Sequence, residues 1–103
     1  MSAPSKIRAT LKDERVEVRI LMYHEMENGR RKDDAGNLVP AWHITDIKVQ
    51  HQGRTLLQGQ FGTSVSKNPY LVFRFQGGNK GDKLSVSWTD NRGDGRVDEA
   101  TVD

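Results

Sequence analysis

Apolar and polar residues alternate along most of this chain. Val16, Val18, Ile20 and Met22 share one parity while Arg15, Glu17 and Arg19 take the other, as in a strand buried on one face and wet on the other. Leu71, Phe73 and Phe75 make a second stripe, and Leu84, Val86 and Trp88 a third. Hardly any segment carries the 3.6-residue period of an amphipathic helix. The spacing predicts strands at about Lys6 to Lys12, Arg15 to His24, Trp42 to Gln52, Arg54 to Phe61, Tyr70 to Gln76, Lys83 to Asp90 and Arg96 to Val102. In "WHITDIKV" the apolar parity changes between Ile44 and Ile47, which predicts a β-bulge or a twist there.

Turn chemistry separates the stripes. "KDER" and "HQGR" suit tight hairpins, "QGGNKGD" is a glycine-rich connection, and "DNRGDG" joins the last two strands. Seven short strands at this spacing predict an all-β fold, an immunoglobulin-like β-sandwich of two antiparallel sheets. A chain of 103 residues has enough surface to bury for one core and too little for two, so residues 1–103 read as a single domain. The segment from Glu25 to Ala41 exceeds most sandwich connections, and long loops in compact domains are often functional. "SVSKNP" is the second candidate loop, with Pro69 acceptable where a strand begins.

Charge and composition narrow the function. Lys and Arg number 16 against 14 for Asp and Glu, and the two signs are interspersed, so nothing singles out nucleic acid as a partner. No window approaches the roughly 18 apolar residues of a membrane-spanning helix, and no membrane partner is expected. The first residues lack an apolar core segment, so no export signal of the chain's own is expected. The absence of cysteine excludes disulfides, thiolate metal centres and thiol nucleophiles.

Met22, His24 and Met26 stand at alternate positions, the spacing of soft Cu(I) ligands on one face of a strand. A plainer reading extends the apolar stripe through Met22 and ends the strand at His24. A copper-handling sandwich is thus the alternative, while no metal or cofactor is the expectation. "DNRGDG" has Arg92 at a ligand position of a calcium loop and Thr101 where a bidentate Glu belongs, so it reads as a turn. Arg30, Arg31 and Lys32 form a basic run in a loop. No nucleophile stands next to a base, and Ser64 and Ser66 have no assigned histidine partner, so the chain does not read as an enzyme.

"MYHEMENGRRKDDAGNLVPAWHI", "VSKNPYLVFRF" and "GGNKGDKLSVSWTDNRGD", in this order, resemble the SoxZ family of sulfur-oxidation proteins from about Ile7 onward. Glu25 and Asn28 depart from the Pro and Thr usual in that family, and Phe61 from its usual Trp. The resemblance implies an immunoglobulin-like, non-catalytic subunit that pairs with SoxY in the SoxYZ carrier of thiosulfate oxidation. SoxY holds the sulfur on a cysteine; SoxAX loads it, SoxB releases sulfate, and a sulfur dehydrogenase acts where present. It also implies a periplasmic protein exported with a partner that bears a twin-arginine signal. The blocks that carry the resemblance suggest partner contacts at Met22, His24, Met26, Arg30, Arg31 and Lys32, and at Lys67, Asn68, Pro69 and Tyr70.

Overall fold

A computed structural model describes residues 3–103. The strands are β1 (Lys6–Lys12), β2 (Arg15–Leu21), β3 (Ile44–His51), β4 (Arg54–Gln60), β5 (Tyr70–Gln76), β6 (Lys83–Asp90) and β7 (Gly95–Thr101). They form two antiparallel sheets, ordered β1-β2-β5 and β4-β3-β6-β7, with no helix among the described residues. The predicted sandwich is therefore the observed architecture.

Two of the three stripes read from the sequence, those on β2 and β6, form its core together with β3. Val16, Val18 and Ile20 on β2, Ile47 and Val49 on β3, and Leu84, Val86 and Trp88 on β6 are all buried in one cluster. The parity change in β3 has the expected cause: the β3–β6 register shifts between Ile44 and Asp46, so one residue is added on β3. A second shift, between Val49 and Gln50 opposite β4, turns both Leu56 and Leu57 partly inward. The β1–β2 and β3–β4 hairpins close through residue pairs with positive φ, Asp13 and Glu14 (51° and 70°) and Gln52 and Gly53 (50° and 83°). Such pairs match the right-handed twist of the flanking strands.

β2 stops at Leu21 instead of running to His24, and β3 starts at Ile44 instead of Trp42. The chain beyond Leu21 pairs with the loop before β5 in an irregular way. Met22 N–H donates to Pro69 O and Asn68 N–H to His24 O, while His24 N–H goes to the Asn68 side-chain oxygen instead of a main-chain carbonyl. Met26 and Asn68 both take positive φ (52° and 54°), which ends the ladder.

The two margins of the sandwich differ. Along β1 and β7 the sheets are sewn together by the C-terminal residues: Leu11 N–H donates to Asp103 O and Asp103 N–H to Ala9 O, with Val102 buried beneath. At the other margin three strands face four. There Leu57, Phe61, Leu71, Phe73 and Phe75 stay half-buried, and β4 and β5 are sheet edges.

Residues 25–41 fold as a ragged two-stranded arm. Glu27 and Trp42 exchange both main-chain bonds, Val39 N–H donates to Arg31 O, and Asp33 N–H to Asn37 O. Asp33 Oδ1 caps the tip by accepting from Ala35 and Asn37 N–H. The molecule extends 53 × 22 × 20 Å. Strands of seven or eight residues span only about 27 Å, so the remaining length belongs to the ends, where the arm is the longest loop.

Candidate functional site

The arm is clamped at its base by a buried polar cluster. Two inward stripes, Val16-Val18-Ile20-Met22 and Leu84-Val86-Trp88, each end in a polar residue at the same end of the sandwich, His24 and Asp90. Their side chains are 2% and 1% exposed. Asp90 Oδ2 accepts from His24 Nε2 at 3.0 Å and from Trp42 Nε1 at 2.9 Å. Its Oδ1 accepts from the main-chain N–H groups of Arg92 and Asp94 at 3.0 and 2.9 Å. Met26 N–H donates to His24 Nδ1 at 3.1 Å, so that nitrogen is the acceptor and the ring proton sits on Nε2, pointed at Asp90. Burial opposes the charge on Asp90, yet the bonds from His24, Trp42, Arg92 and Asp94 outweigh it and hold the carboxyl below the usual carboxylate range.

Aromatic packing completes the clamp. The His24 ring meets Trp42 and Trp88 edge-on, at centroid distances of 5.0 and 5.2 Å, and the Arg92 guanidinium lies 4.2 Å from the Trp42 ring. Asn91 ties the β6–β7 turn to the arm by donating to Ala41 O and accepting from His43 N–H. Tyr23, Glu25, Trp42, Lys67 and Asp94 border an open cleft of about 300 Å³ beside this cluster. Above the clamp the arm is exposed from Arg30 to Leu38, and Leu38 stands 61% exposed. Glu27 is held below its usual pKa by its hydrogen-bonded pairing with Arg31, an ion pair that stiffens the arm near its base.

The structure divides the ten contact residues expected from sequence. Arg30, Arg31, Lys32, Lys67 and Tyr70 are exposed and Asn68 is half-buried; all lie at the loop end. Met22, His24, Met26 and Pro69 are buried and lie beneath the exposed residues of that end. The structure does not favour the copper reading of the Met-His-Met stripe. Nδ1 and Nε2 of His24 are both engaged, the Met26 sulfur accepts Ile44 N–H at 3.3 Å, and Met22 is wholly enclosed. Among the described residues no three His, Cys, Asp or Glu side chains group in a way that would hold a metal ion.

Asp90, Trp42 and Arg92 are the residues that sequence reasoning missed. Asp90 ends a predicted strand and begins a predicted turn, and its parity with Leu84, Val86 and Trp88 marks it as inward-facing.

The family model of the sulphur oxidation protein SoxZ matches residues 6–101. The chain belongs to the SoxZ family. As a SoxZ-family chain it takes part in sulfur oxidation. A search of curated proteins finds no match. Among solved structures, a hypothetical protein from Pyrococcus horikoshii OT3 is 19% identical with a TM-score of 0.68, over 99% of this chain and 89% of that one. A superoxide reductase in its oxidised state is 17% identical with a TM-score of 0.64, over the same shares of each chain. At these identities the likeness is one of fold.

Proposed function

We propose that this chain is the non-catalytic scaffold subunit that pairs with SoxY to form the SoxYZ sulfur carrier of thiosulfate oxidation. The observation that carries the reading is a SoxZ match over residues 6–101 in a chain with no cysteine. A thiosulfate adduct needs a thiolate to bond to, and no side chain here supplies one. The sulfur therefore resides on SoxY, and SoxAX, SoxB and the sulfur dehydrogenase act on the assembled pair. The pair works in the periplasm, where SoxY's twin-arginine signal delivers both chains folded.

The loop end is the surface offered to SoxY. Arg30, Arg31, Lys32 and the exposed Leu38 stand on the arm, Lys67 and Asn68 of the facing loop line the cleft, and Tyr70 leads from there onto the β5 edge. Exposed apolar and aromatic side chains set among charged ones match the composition of a protein contact. Co-expression with SoxY should yield a one-to-one pair burying about 1,200–2,000 Å². Intact-mass measurement after loading with thiosulfate and SoxAX should then find every adduct on SoxY and this chain at its unmodified mass. An adduct on this chain, or failure to co-purify, overturns the assignment.

A further inference from the structure

The outer face of the β1-β2-β5 sheet is strongly basic. Register brings Lys6, Leu21 and Tyr70 into one row, Arg8, Arg19 and Val72 into the next, then Thr10, Glu17 and Arg74, then Lys12, Arg15 and Gln76. The chain's +2 comes from sixteen cations and fourteen acids. Six of the cations and one of the acids stand on this face, which leaves ten against thirteen elsewhere. The outer face of the other sheet is balanced: Lys48 and Lys83 offset Asp46 and Glu99 among serines and threonines.

Two of the basic rows are unfavourable for folding. Arg8 lies directly opposite Arg19, and Lys12 directly opposite Arg15. Like charges in direct cross-strand register destabilise a sheet, where an acid in either place would stabilise it. Glu17 pairs with Arg19 at 2.7 Å and Arg74 at 3.2 Å; among the described residues Lys6, Arg8, Lys12 and Arg15 have no carboxylate partner. All four are exposed, and the adjoining turn carries Asp13 and Glu14 at one end only.

We propose that this face is the docking surface for an acidic patch on an enzyme that acts on the assembled carrier, an inference that rests on the scaffold reading above. A carrier must meet and leave its enzymes repeatedly, and complementary charge gives fast association with modest affinity, unlike the apolar surface of a permanent pair. Arg15 and Arg19 lie on the middle strand, with Tyr70 and Val72 along the β5 edge and lysines at the two ends of β1; arginine and tyrosine are residue types enriched at protein contacts. A nucleic-acid strand fits less well. The face is a flat sheet, and Glu17 interrupts its cations where a phosphate backbone would run.

The test uses the SoxYZ pair with Arg8→Glu and Arg15→Glu together, and Lys48→Glu with Lys83→Glu as the control on the opposite face. Association rates with purified SoxAX, SoxB and sulfur dehydrogenase are measured from about 0.05 to 0.5 M salt. For at least one enzyme the unmodified pair should associate fast and slow down with salt; the Arg8/Arg15 variant should lose about tenfold or more at low salt and most of the salt dependence. The control should behave as the unmodified pair does. Unchanged rates and salt dependence for all three enzymes overturn the proposal. So does loss of pairing with SoxY in the Arg8/Arg15 variant, which would make the face a permanent interface, or an effect confined to binding of a single-stranded oligonucleotide. If the unmodified chain itself fails to pair with SoxY, the scaffold reading falls, and the same rates measured on the chain alone decide the fate of the face.

Discussion

The two ends of the sandwich each set a histidine against an aspartate, to different depths and with different neighbours. At the loop end His24 and Asp90 are 2% and 1% exposed, and four donors converge on the carboxylate. At the turn end His51 and Asp82 are 8% and 18% exposed; Asp82 accepts from His51 Nε2 at 2.7 Å and from Asn79 N–H at 2.9 Å. The turn end needs to close only two tight hairpins and a glycine-rich connection. The loop end holds a long arm whose own bonds are few, so its position depends on the buried cluster that receives Trp42. The same pairing thus serves as a latch at one end and as a mount at the other.

The largest expected effect comes from emptying the loop end. Trp88 is 2% exposed and packs edge-on against His24, so Trp88→Ala should cost about 3–5 kcal/mol in denaturant unfolding. A loss well under 1 kcal/mol would mean that the core does not close around the clamp. Next is the comparison of the two carboxylates. Asp90→Ala strands the donors of His24, Trp42, Arg92 and Asp94, and should cost about 3 kcal/mol or more and speed hydrogen exchange through residues 27–42. Asp82→Ala should cost clearly less and leave the arm's exchange unchanged. Equal losses, with equal effects on the arm, would erase the distinction between latch and mount.

Acid should act on both carboxylates. Asp82 is held below its usual pKa chiefly by the His51 hydrogen bond, and Asp90 is depressed against the opposition of burial. A carboxylate whose folded pKa is depressed contributes stability that is complete above its unfolded value of about 3.9 and disappears as pH falls through the lower folded value. Stability should therefore fall with acidification below about pH 4, and Asp90→Asn and Asp82→Asn should each flatten part of that fall. The smallest effect on folding belongs to the arm's tip. Arg30→Glu with Lys32→Glu should leave stability within about 0.5 kcal/mol, because both side chains are solvated, while weakening the contact with SoxY.

Much of this fold was legible in the alternation of the chain. Strand stripes, hairpin turns and the parity change at Ile44 each follow from neighbours within a few residues, and each recurs in the sheets. The clamp was harder to read because its members are far apart in sequence: His24 and Asp90 are 66 positions apart and Trp42 and Asp90 are 48. A rule of spacing along one strand made Met22, His24 and Met26 resemble a ligand stripe. It could not show that positive φ at Met26 ends that stripe or that His24's nitrogens are already engaged. The useful signal was a polar residue continuing an inward stripe, and it was present three times, at His24, His51 and Asp90. The basic sheet face was hidden for another reason: its cations are interspersed along the sequence, and antiparallel register is what gathers them.

On the proposed reading, the loop end, mounted on the His24–Asp90 cluster, is where a thiol-free scaffold meets SoxY. Hydrogen exchange of this chain, alone and in the SoxYZ pair, tests it most directly. Pairing should add protection at residues 27–42 and 67–72, with the β1–β2 and β3–β4 turns exchanging as before. Protection concentrated at those two turns, with the arm unchanged, would contradict it.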